Sequence, residues 1–117
     1  MQDIQTGSLT IQLLPGKTPE TRIVKIDGPM AFPYVFPLHT DLRRENTPVT
    51  ILDLSGVSYM DSAGLGVLID YHVSCKKNGR KLILAGVNSH VGELIELTNT
   101  VKLLTIVPSV ADAEPGF

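Results

Sequence analysis

The sequence predicts an α/β fold, in which a mixed sheet of about five strands carries helices packed mainly on one face. Two observations support this fold class. Leu9, Ile11 and Leu13 alternate with polar residues near the N-terminus, as in a strand of a half-solvated hairpin. From Val49 onward, short apolar runs alternate with segments of helical periodicity, and such alternation is typical of parallel strands joined by helical crossovers.

The size and composition of the chain favour one domain over residues 1–117, with a core over about 9–110. Ten basic and twelve acidic residues give a net charge of −2, which indicates neither nucleic acid nor an anionic membrane as a partner. No apolar run is long enough to span a bilayer, and no secretory h-region precedes the first strand. The lone cysteine, Cys75, fits a reducing compartment, so we expect a cytoplasmic protein without membrane insertion.

The first two strands are predicted over Ser8–Leu14 and Thr21–Ile26. Pro15-Gly16 interrupts the pattern between them, so the two strands should pair as a hairpin. Asp27-Gly28-Pro29 is predicted to end the second strand and to form a loop.

The first helix is predicted to begin no earlier than about Val35 and to end near Glu45. Pro37 has no N–H and clashes with a preceding carbonyl inside a helix, so it must lie in the first turn. Val35, Leu38 and Leu42 then form the inward stripe.

Three of the six aromatic residues lie just before this helix, at Phe32, Tyr34 and Phe36. We expect them to pack beneath the helix and complete the core. The alternative is an exposed patch that docks a partner, because aromatic side chains are favoured interface anchors.

The central unit is a strand at Val49–Leu54, a polar and glycine-rich corner at Met60–Gly66, and a helix that ends near Lys76–Gly79. The helical spacing is carried by four residues, Leu65, Leu68, Ile69 and His72. Asp61 or Ser62 should be the N-cap, which leaves the Ser62 hydroxyl at the positive end of the helix. Gly64 and Gly66 carry no Cβ, so an anion could approach that hydroxyl and its N–H donors.

The C-terminal part continues the alternation of strands and helices. A buried strand is predicted over Lys81–Val87, and Asn88 or Ser89 should cap a helix. That helix has Val91, Leu94, Ile95 and Thr98 at helical spacing. The last strand is predicted over Leu103–Val107. Ser109 and Asp112 then have the spacing of a capping box, which opens a short helix stopped by Pro115-Gly116.

The strand end Leu52–Ser55, followed by the corner Asp61–Gly66, resembles the signature of the STAS family, which includes domains of sulfate transporters and bacterial anti-sigma-factor antagonists. The order of elements extends the resemblance over roughly Leu9 to Val110. In the bacterial antagonists of this family, the serine of the corner accepts phosphate from a partner kinase. The resemblance therefore implies that Ser62 is the phosphorylation site.

The same resemblance implies a regulatory binding module that is not an enzyme and has no cofactor. Its partner would be an anti-sigma factor that is also a serine protein kinase. Binding would release the sigma factor, phosphorylation of Ser62 would switch binding off, and a phosphatase would remove the phosphate. The partner-binding corner would comprise Asp61, Ala63, Gly64, Leu65, Gly66, Asp27 and Gly28.

One departure from the family pattern supports a second hypothesis. Most members carry an Asp after the second strand where this chain has Ala31, which removes an acidic group near the corner. The alternative is a STAS scaffold, or a transporter-type regulatory module, that binds a partner or a small anion without phosphorylation. An enzyme with Ser62 as nucleophile would need a base that the sequence does not place.

The remaining polar residues do not indicate a metal site. His39, His72 and His90 are widely spaced, and His72 with Cys75 supplies only two ligands. Asp61 and Asp53 could form an acid–base pair, but we expect a helix cap and an acceptor of local backbone N–H groups.

Overall fold

The structure is a computed structural model that describes residues 2–6, 9–44 and 47–113. Within these ranges the strands are β1 (Gln2–Thr6), β2 (Leu9–Pro15), β3 (Thr21–Met30), β4 (Val49–Met60), β5 (Lys81–Ala85) and β6 (Thr105–Val107). The helices are α1 (Phe36–Arg44), α2 (Ser62–Lys77), α3 (Ser89–Leu97) and α4 (Val110–Ala113), with a 3-10 turn at Thr100–Lys102. The predicted α/β fold class is confirmed.

The described strands form one mixed sheet in which their spatial order is the same as their order along the chain. The first three strands are antiparallel neighbours, so the predicted hairpin is confirmed, with Leu13 opposite Val24. From β3 to β6 every pairing is parallel, as helical crossovers require. The sheet has one strand more than the expected five, because β1 adds an N-terminal edge.

The helices divide unequally between the two faces of the sheet. The larger cluster joins Leu52 and Leu84 of the sheet to residues of α1, α2 and α3. On the other face a smaller cluster joins Ile51 and Ile83 to Ala113 of α4. Residues of opposite parity therefore supply the two clusters, as expected for strands covered on both faces.

The two central strands are longer than predicted. β3 continues through Asp27-Gly28-Pro29 to Met30, so these residues are not a loop, and β4 continues beyond Leu54 to Met60. Two register shifts interrupt the ladder between them. Gly28 adopts a φ of 104°, which a residue with a side chain rarely does. The bulges disturb the period-2 pattern, and so the continuation was not visible in the sequence.

Helix α1 begins one residue after the predicted start and has Pro37 in its first turn, as expected. The predicted inward stripe is confirmed, because Val35, Leu38 and Leu42 are fully buried. Three predicted boundary features, at Ser8, Glu45 and Pro115-Gly116, lie outside the described residues.

The face of α2 is shifted relative to the prediction. Leu65 and Leu68 are buried as expected, but Ile69 and His72 are only half-buried. The buried positions also include Gly64, Val67, Tyr71 and Cys75. Tyr71 is held by Arg22, whose guanidinium donates to the Tyr71 hydroxyl at 2.9 Å and to the Leu42 carbonyl at 2.8 Å. This polar link between β3, α1 and α2 had no sequence signal.

The caps in the C-terminal half follow the prediction. Asn88 caps α3 by accepting the Val91 N–H at 2.9 Å, and the Ser109 Oγ accepts the Asp112 N–H at 3.3 Å. Strand β6 is shorter than predicted, since Leu103 and Leu104 precede it. Among the described residues, no helix combines the length and the hydropathy that crossing a bilayer requires.

Candidate functional site

The candidate site is the junction where β4 ends and α2 begins. Met30 and Met60 form the last pair of the β3–β4 ladder, and the Asp61 N–H donates to the Met30 carbonyl at 3.3 Å. Asp61 has extended backbone geometry and is the N-cap of α2, which places Ser62 as the first helical residue. The chain therefore changes from strand to helix within one residue, at the carboxyl edge of the parallel sheet, where α/β folds bind ligands.

The Asp61 carboxylate fixes this junction with both of its oxygens. Oδ1 accepts the Gly64 N–H at 3.0 Å, and Oδ2 accepts the Phe32 N–H at 3.1 Å. Partial desolvation alone would raise the pKa of Asp61, but these backbone donors outweigh it and hold the pKa below its usual value. Of the two predicted candidates for the cap, Asp61 and Ser62, the structure selects Asp61, which also links α2 to the segment after β3.

The Ser62 side chain is exposed and has no hydrogen-bond partner among the described residues. A nucleophilic serine needs a base within hydrogen-bond reach, and no described side chain fulfils that role here. The hydroxyl instead lies at the positive end of a sixteen-residue helix, which suits a bound or attached anion.

The two glycines of the corner have different surroundings, and the prediction of an open approach to Ser62 is wrong for Gly64. Gly64 is buried, and a Cβ there would lie 2.1 Å from the Met30 carbonyl oxygen. This glycine lets α2 pack closely on β3. Gly66 is exposed, and a Cβ there would meet nothing within 4 Å. Leu65 between them is a core residue.

Asp27 and Gly28 were expected in a loop beside Ser62, but they lie inside β3, opposite Gly56 and Val57 of β4. The Asp27 carboxylate packs against the backbone of Gly56, where a Cβ would come within 1.8 Å of Oδ1. Ala31, which replaces the family Asp, is buried beside the junction. Asp61 is therefore the carboxylate whose contacts define the described corner.

The aromatic residues before α1 lie mostly at the surface, so the expectation that all three complete the core is wrong. Phe32 is 64% exposed and Phe36 is 56% exposed, and their rings form an edge-to-face pair with centroids 5.4 Å apart. Tyr34 alone packs partly against the core. Because Asp61 binds the N–H of Phe32, the aromatic pair is attached directly to the Ser62 corner.

An apolar groove of about 270 Å³ separates α1 from α2 beside this pair. It is lined by Val35, Phe36, His39, Ala63, Gly66, Val67 and Asp70. One of these lining residues, Ala63, directly follows Ser62 in the chain, so the groove adjoins the Ser62 corner. We name the groove and the two exposed phenylalanines the aromatic surface.

One ion-pair cluster at the rim of this groove was not predicted. The Asp70 carboxylate of α2 binds His39 Nε2 at 2.5 Å and the Arg43 guanidinium at 2.7 Å, both from α1. The hydrogen bond from His39 lowers the pKa of Asp70, and the charge of Arg43 adds to that effect. His39 and Arg43 have helical i, i+4 spacing, but their partner on α2 could not be found from spacing alone.

The described residues contain no group of three or more His, Cys, Asp or Glu side chains that could hold a metal ion. Cys75 is buried, and desolvation raises the pKa of its thiol, so it is not a reactive thiolate. Asp53 accepts the N–H and the hydroxyl of Ser55, as expected for a local acceptor.

A sequence-family comparison matches residues 15–113 to the STAS domain. This chain belongs to the STAS family. The anti-sigma-B factor antagonist of Staphylococcus aureus strain NCTC 8325 is 30% identical over 86 residues, which cover 71% of this chain and 80% of that protein. The predicted family resemblance is thereby confirmed.

Solved structures of STAS proteins share the fold. An anti-sigma factor antagonist from Mycobacterium paratuberculosis superposes with a TM-score of 0.75 at 21% identity, over 91% of each chain. A sulfate transporter family protein from Wolinella succinogenes gives a TM-score of 0.71 at 22% identity, over 84% of each chain. STAS proteins that resemble anti-sigma factor antagonists are generally regulatory modules without catalytic activity.

Proposed function

We propose that this STAS module acts as an anti-sigma-factor antagonist that is switched by phosphorylation of Ser62. In this proposal the unmodified module binds a serine protein kinase that inhibits a sigma factor, and so releases the sigma factor in the cytoplasm. The kinase then phosphorylates Ser62, and a phosphatase restores the active form. The observation that supports the proposal most directly is the exposed Ser62 hydroxyl, which has no hydrogen-bond partner in the described part of the chain and lies at the N-terminus of α2.

The aromatic surface provides a docking face for the kinase. Exposed aromatic side chains are favoured anchors, and a groove beside them can accept an apolar side chain from a partner. Ala63 and Gly66 line the groove within one turn of Ser62, so a partner seated there would cover the hydroxyl. Asp61, Gly64 and Leu65 have a positioning role, since they fix the start of α2 against β3.

Phosphorylation should change the interface much more than the fold. A phosphoserine adds about −1.5 to −2 charges, and the helix N-terminus stabilises negative charge by only about 0.3–1 kcal/mol. A partner carboxylate about 5 Å away would be repelled by about 3 kcal/mol per unit charge at an effective dielectric constant of 20. That repulsion corresponds to roughly a hundredfold loss of affinity.

The test is to incubate the protein with ATP and the anti-sigma kinase of its source organism, and to measure intact mass. We expect one added phosphate, and none on the Ser62→Ala variant. The kinase is then titrated with unmodified protein, phosphoprotein and Ser62→Asp. Affinity should fall for the phosphoprotein, and less for Ser62→Asp because a carboxylate carries less charge. Phosphate uptake by Ser62→Ala would remove Ser62 from the mechanism.

Ala31 favours a second candidate, a STAS scaffold or transporter-type module that binds a partner or a small anion at the same corner without phosphorylation. The buried alanine leaves this corner without the acidic group that most family members place there. Equal affinity of the partner for all three forms, or no phosphate uptake, would support this candidate.

A further inference from the structure

A second concave surface lies at the other end of α2, far from Ser62. A groove of about 330 Å³ is lined by His72, Val73, Lys76, Lys77 and Leu103. An adjoining hollow of about 270 Å³ shares His72, Lys76 and Leu103 with it and extends to Arg80, Lys81 and Thr105. We name these two hollows together the basic groove. With a rise of 1.5 Å per residue, Lys76 lies about 21 Å along the helix from Ser62.

The walls of the basic groove expose apolar side chains. Val73 is 45% exposed and Leu103 is 52% exposed, one on the helix and one on the segment that leads into β6. The aliphatic stem of Lys76, which lines the same groove, adds apolar surface. An apolar side chain of a partner could therefore be inserted here.

The described residues that line the groove carry charge of one sign. They include Lys76, Lys77, Arg80 and Lys81, and none of the described lining residues is a carboxylate. Lys76 and Lys77 are exposed and form no ion pair within the described residues. The nearest carboxylate on α2, Asp70, lines a neighbouring hollow and is bound by His39 and Arg43. On a chain of net charge −2, the groove is a local concentration of positive charge.

Capping of α2 does not require these lysine ammonium groups as hydrogen-bond donors. The Cys75 carbonyl accepts the Arg80 N–H at 2.8 Å, and the Ser74 carbonyl accepts the Asn78 side-chain amide at 2.7 Å. The Lys76 carbonyl accepts the Gly79 N–H at 3.5 Å. These three carbonyls are therefore satisfied by the turn that follows the helix, and both ammonium groups remain available to a ligand.

We propose that the basic groove docks an acidic, amphipathic segment of a partner protein. An apolar side chain of the segment lies between Val73 and Leu103, and flanking carboxylates pair with Lys76 and Lys77. A concave surface can accept an apolar side chain of an amphipathic protein segment, as in helix-in-groove recognition, and the lysines complement carboxylates of such a segment. The groove and the Ser62 corner are at opposite ends of α2, so one module can hold two partners at once.

The test measures fluorescence anisotropy of a labelled short peptide with a central Leu-Leu pair flanked by glutamates, at low ionic strength. A matched peptide with glutamine in place of each glutamate separates the charge contribution from the apolar one. We expect the glutamate peptide to bind, and its affinity to fall as salt shortens the screening length from about 30 Å at 0.01 M to about 8 Å at 0.15 M.

Three variants locate the binding surface. Lys76→Glu combined with Lys77→Glu should weaken binding about tenfold or more, because attraction becomes repulsion at two positions. Leu103→Ser should weaken the binding of both peptides, because both carry the Leu-Leu pair. Lys17→Glu, on the exposed turn between β2 and β3, makes the same kind of charge reversal outside the groove and should change affinity less than twofold. Circular dichroism establishes that each variant is folded.

Several results would overturn the proposal. They are equal affinity for the two peptides, unchanged affinity in the double lysine variant, and no binding at about 1 mM peptide, where a Kd of that order gives half saturation. Co-sedimentation with phosphatidylglycerol vesicles but not with phosphatidylcholine vesicles, abolished by the double lysine variant without any peptide binding, would assign the groove to membranes instead.

Discussion

At the scale of single residues, the carboxylate of Asp61 determines the geometry of the Ser62 corner. One oxygen closes the first turn of α2 through Gly64, and the other holds the Phe32 backbone. Ser62 makes no comparable contact among the described residues. The two neighbouring polar residues of the motif therefore differ in structural role: Asp61 fixes the start of α2, and the Ser62 side chain remains exposed.

This difference in role predicts unequal effects of two alanine substitutions. Asp61→Ala should lower the free energy of unfolding by about 1–2 kcal/mol, because a helix cap and a second backbone hydrogen bond are lost. Ser62→Ala should lower it by at most about 1 kcal/mol, since Asp61 still caps α2. Urea unfolding at neutral pH measures both values. A Ser62→Ala loss equal to or larger than that of Asp61→Ala would contradict the assignment of the cap.

The two corner glycines allow a matched test of backbone packing. Gly64→Ala should destabilise the fold by about 1–3 kcal/mol, because its Cβ must displace the Met30 backbone. Gly66→Ala should stabilise it by about 0.5–1 kcal/mol, because alanine favours helix and meets no obstacle at that position. Thermal melts of the two variants give the sign directly. A Gly64→Ala protein as stable as Gly66→Ala would show that α2 can move away from β3 at little cost.

At the scale of elements, the sequence placed most helices and strands but missed how far β3 and β4 extend. The apolar run that predicted β4 ends at Leu54, whereas the strand continues to Met60 with Val57 and Met60 buried. Bulges change the spacing of the inward residues, and no single-strand pattern reveals them. The sequence likewise did not determine whether Phe32 and Phe36 are buried. An aromatic side chain near the start of a helix can pack in the core or lie exposed at an interface.

The exposure of the aromatic surface predicts that Phe36 serves binding more than folding. Phe36→Ser should cost about 1 kcal/mol of stability or less, mainly the edge-to-face contact with Phe32. Leu38→Ala, two residues along α1 and fully buried, should cost about 2–5 kcal/mol. Partner titration should show about a tenfold or larger loss of affinity for Phe36→Ser. A Phe36→Ser loss of stability as large as that of Leu38→Ala would return this residue to the core.

At the scale of the whole molecule, the alternation of strands and helices was sufficient to predict the α/β layers and the hairpin. It was not sufficient to place the links between elements that are distant in the chain. Arg22 reaches Tyr71 from β3, and Asp70 joins α2 to α1 through His39. Such contacts depend on how helices are oriented over the sheet, which periodicity does not specify.

The lowered pKa values of Asp61 and Asp70 predict that the protein loses stability in acid. Both carboxyls have a lower pKa in the folded state than in the unfolded chain. They therefore contribute their full stabilisation of the fold at a pH above the unfolded-state pKa. It is lost as the pH falls from about 5 through the folded pKa. Asp61→Asn should flatten the pH dependence of the unfolding free energy more than Asp70→Asn, because the Asp70 pairs are half-exposed and screened. Urea titrations at pH 7 and pH 3 test this order; an equal or larger flattening by Asp70→Asn would contradict it.

The order of the strands also bears on how the protein is made. Each described strand after β1 pairs with the strand before it in the chain. Val49 of β4, for example, lies opposite Thr21 of β3 and Lys81 of β5. The sheet can therefore grow during translation by adding one strand at a time to an open edge, and no strand has to be inserted between two others. When β4 leaves the ribosome, the backbone N–H and C=O groups along its edge, as at Ile51 and Leu52, have no partner until β5 is made. The interval before β5 is made is one stage at which the nascent chain is exposed to association with another copy.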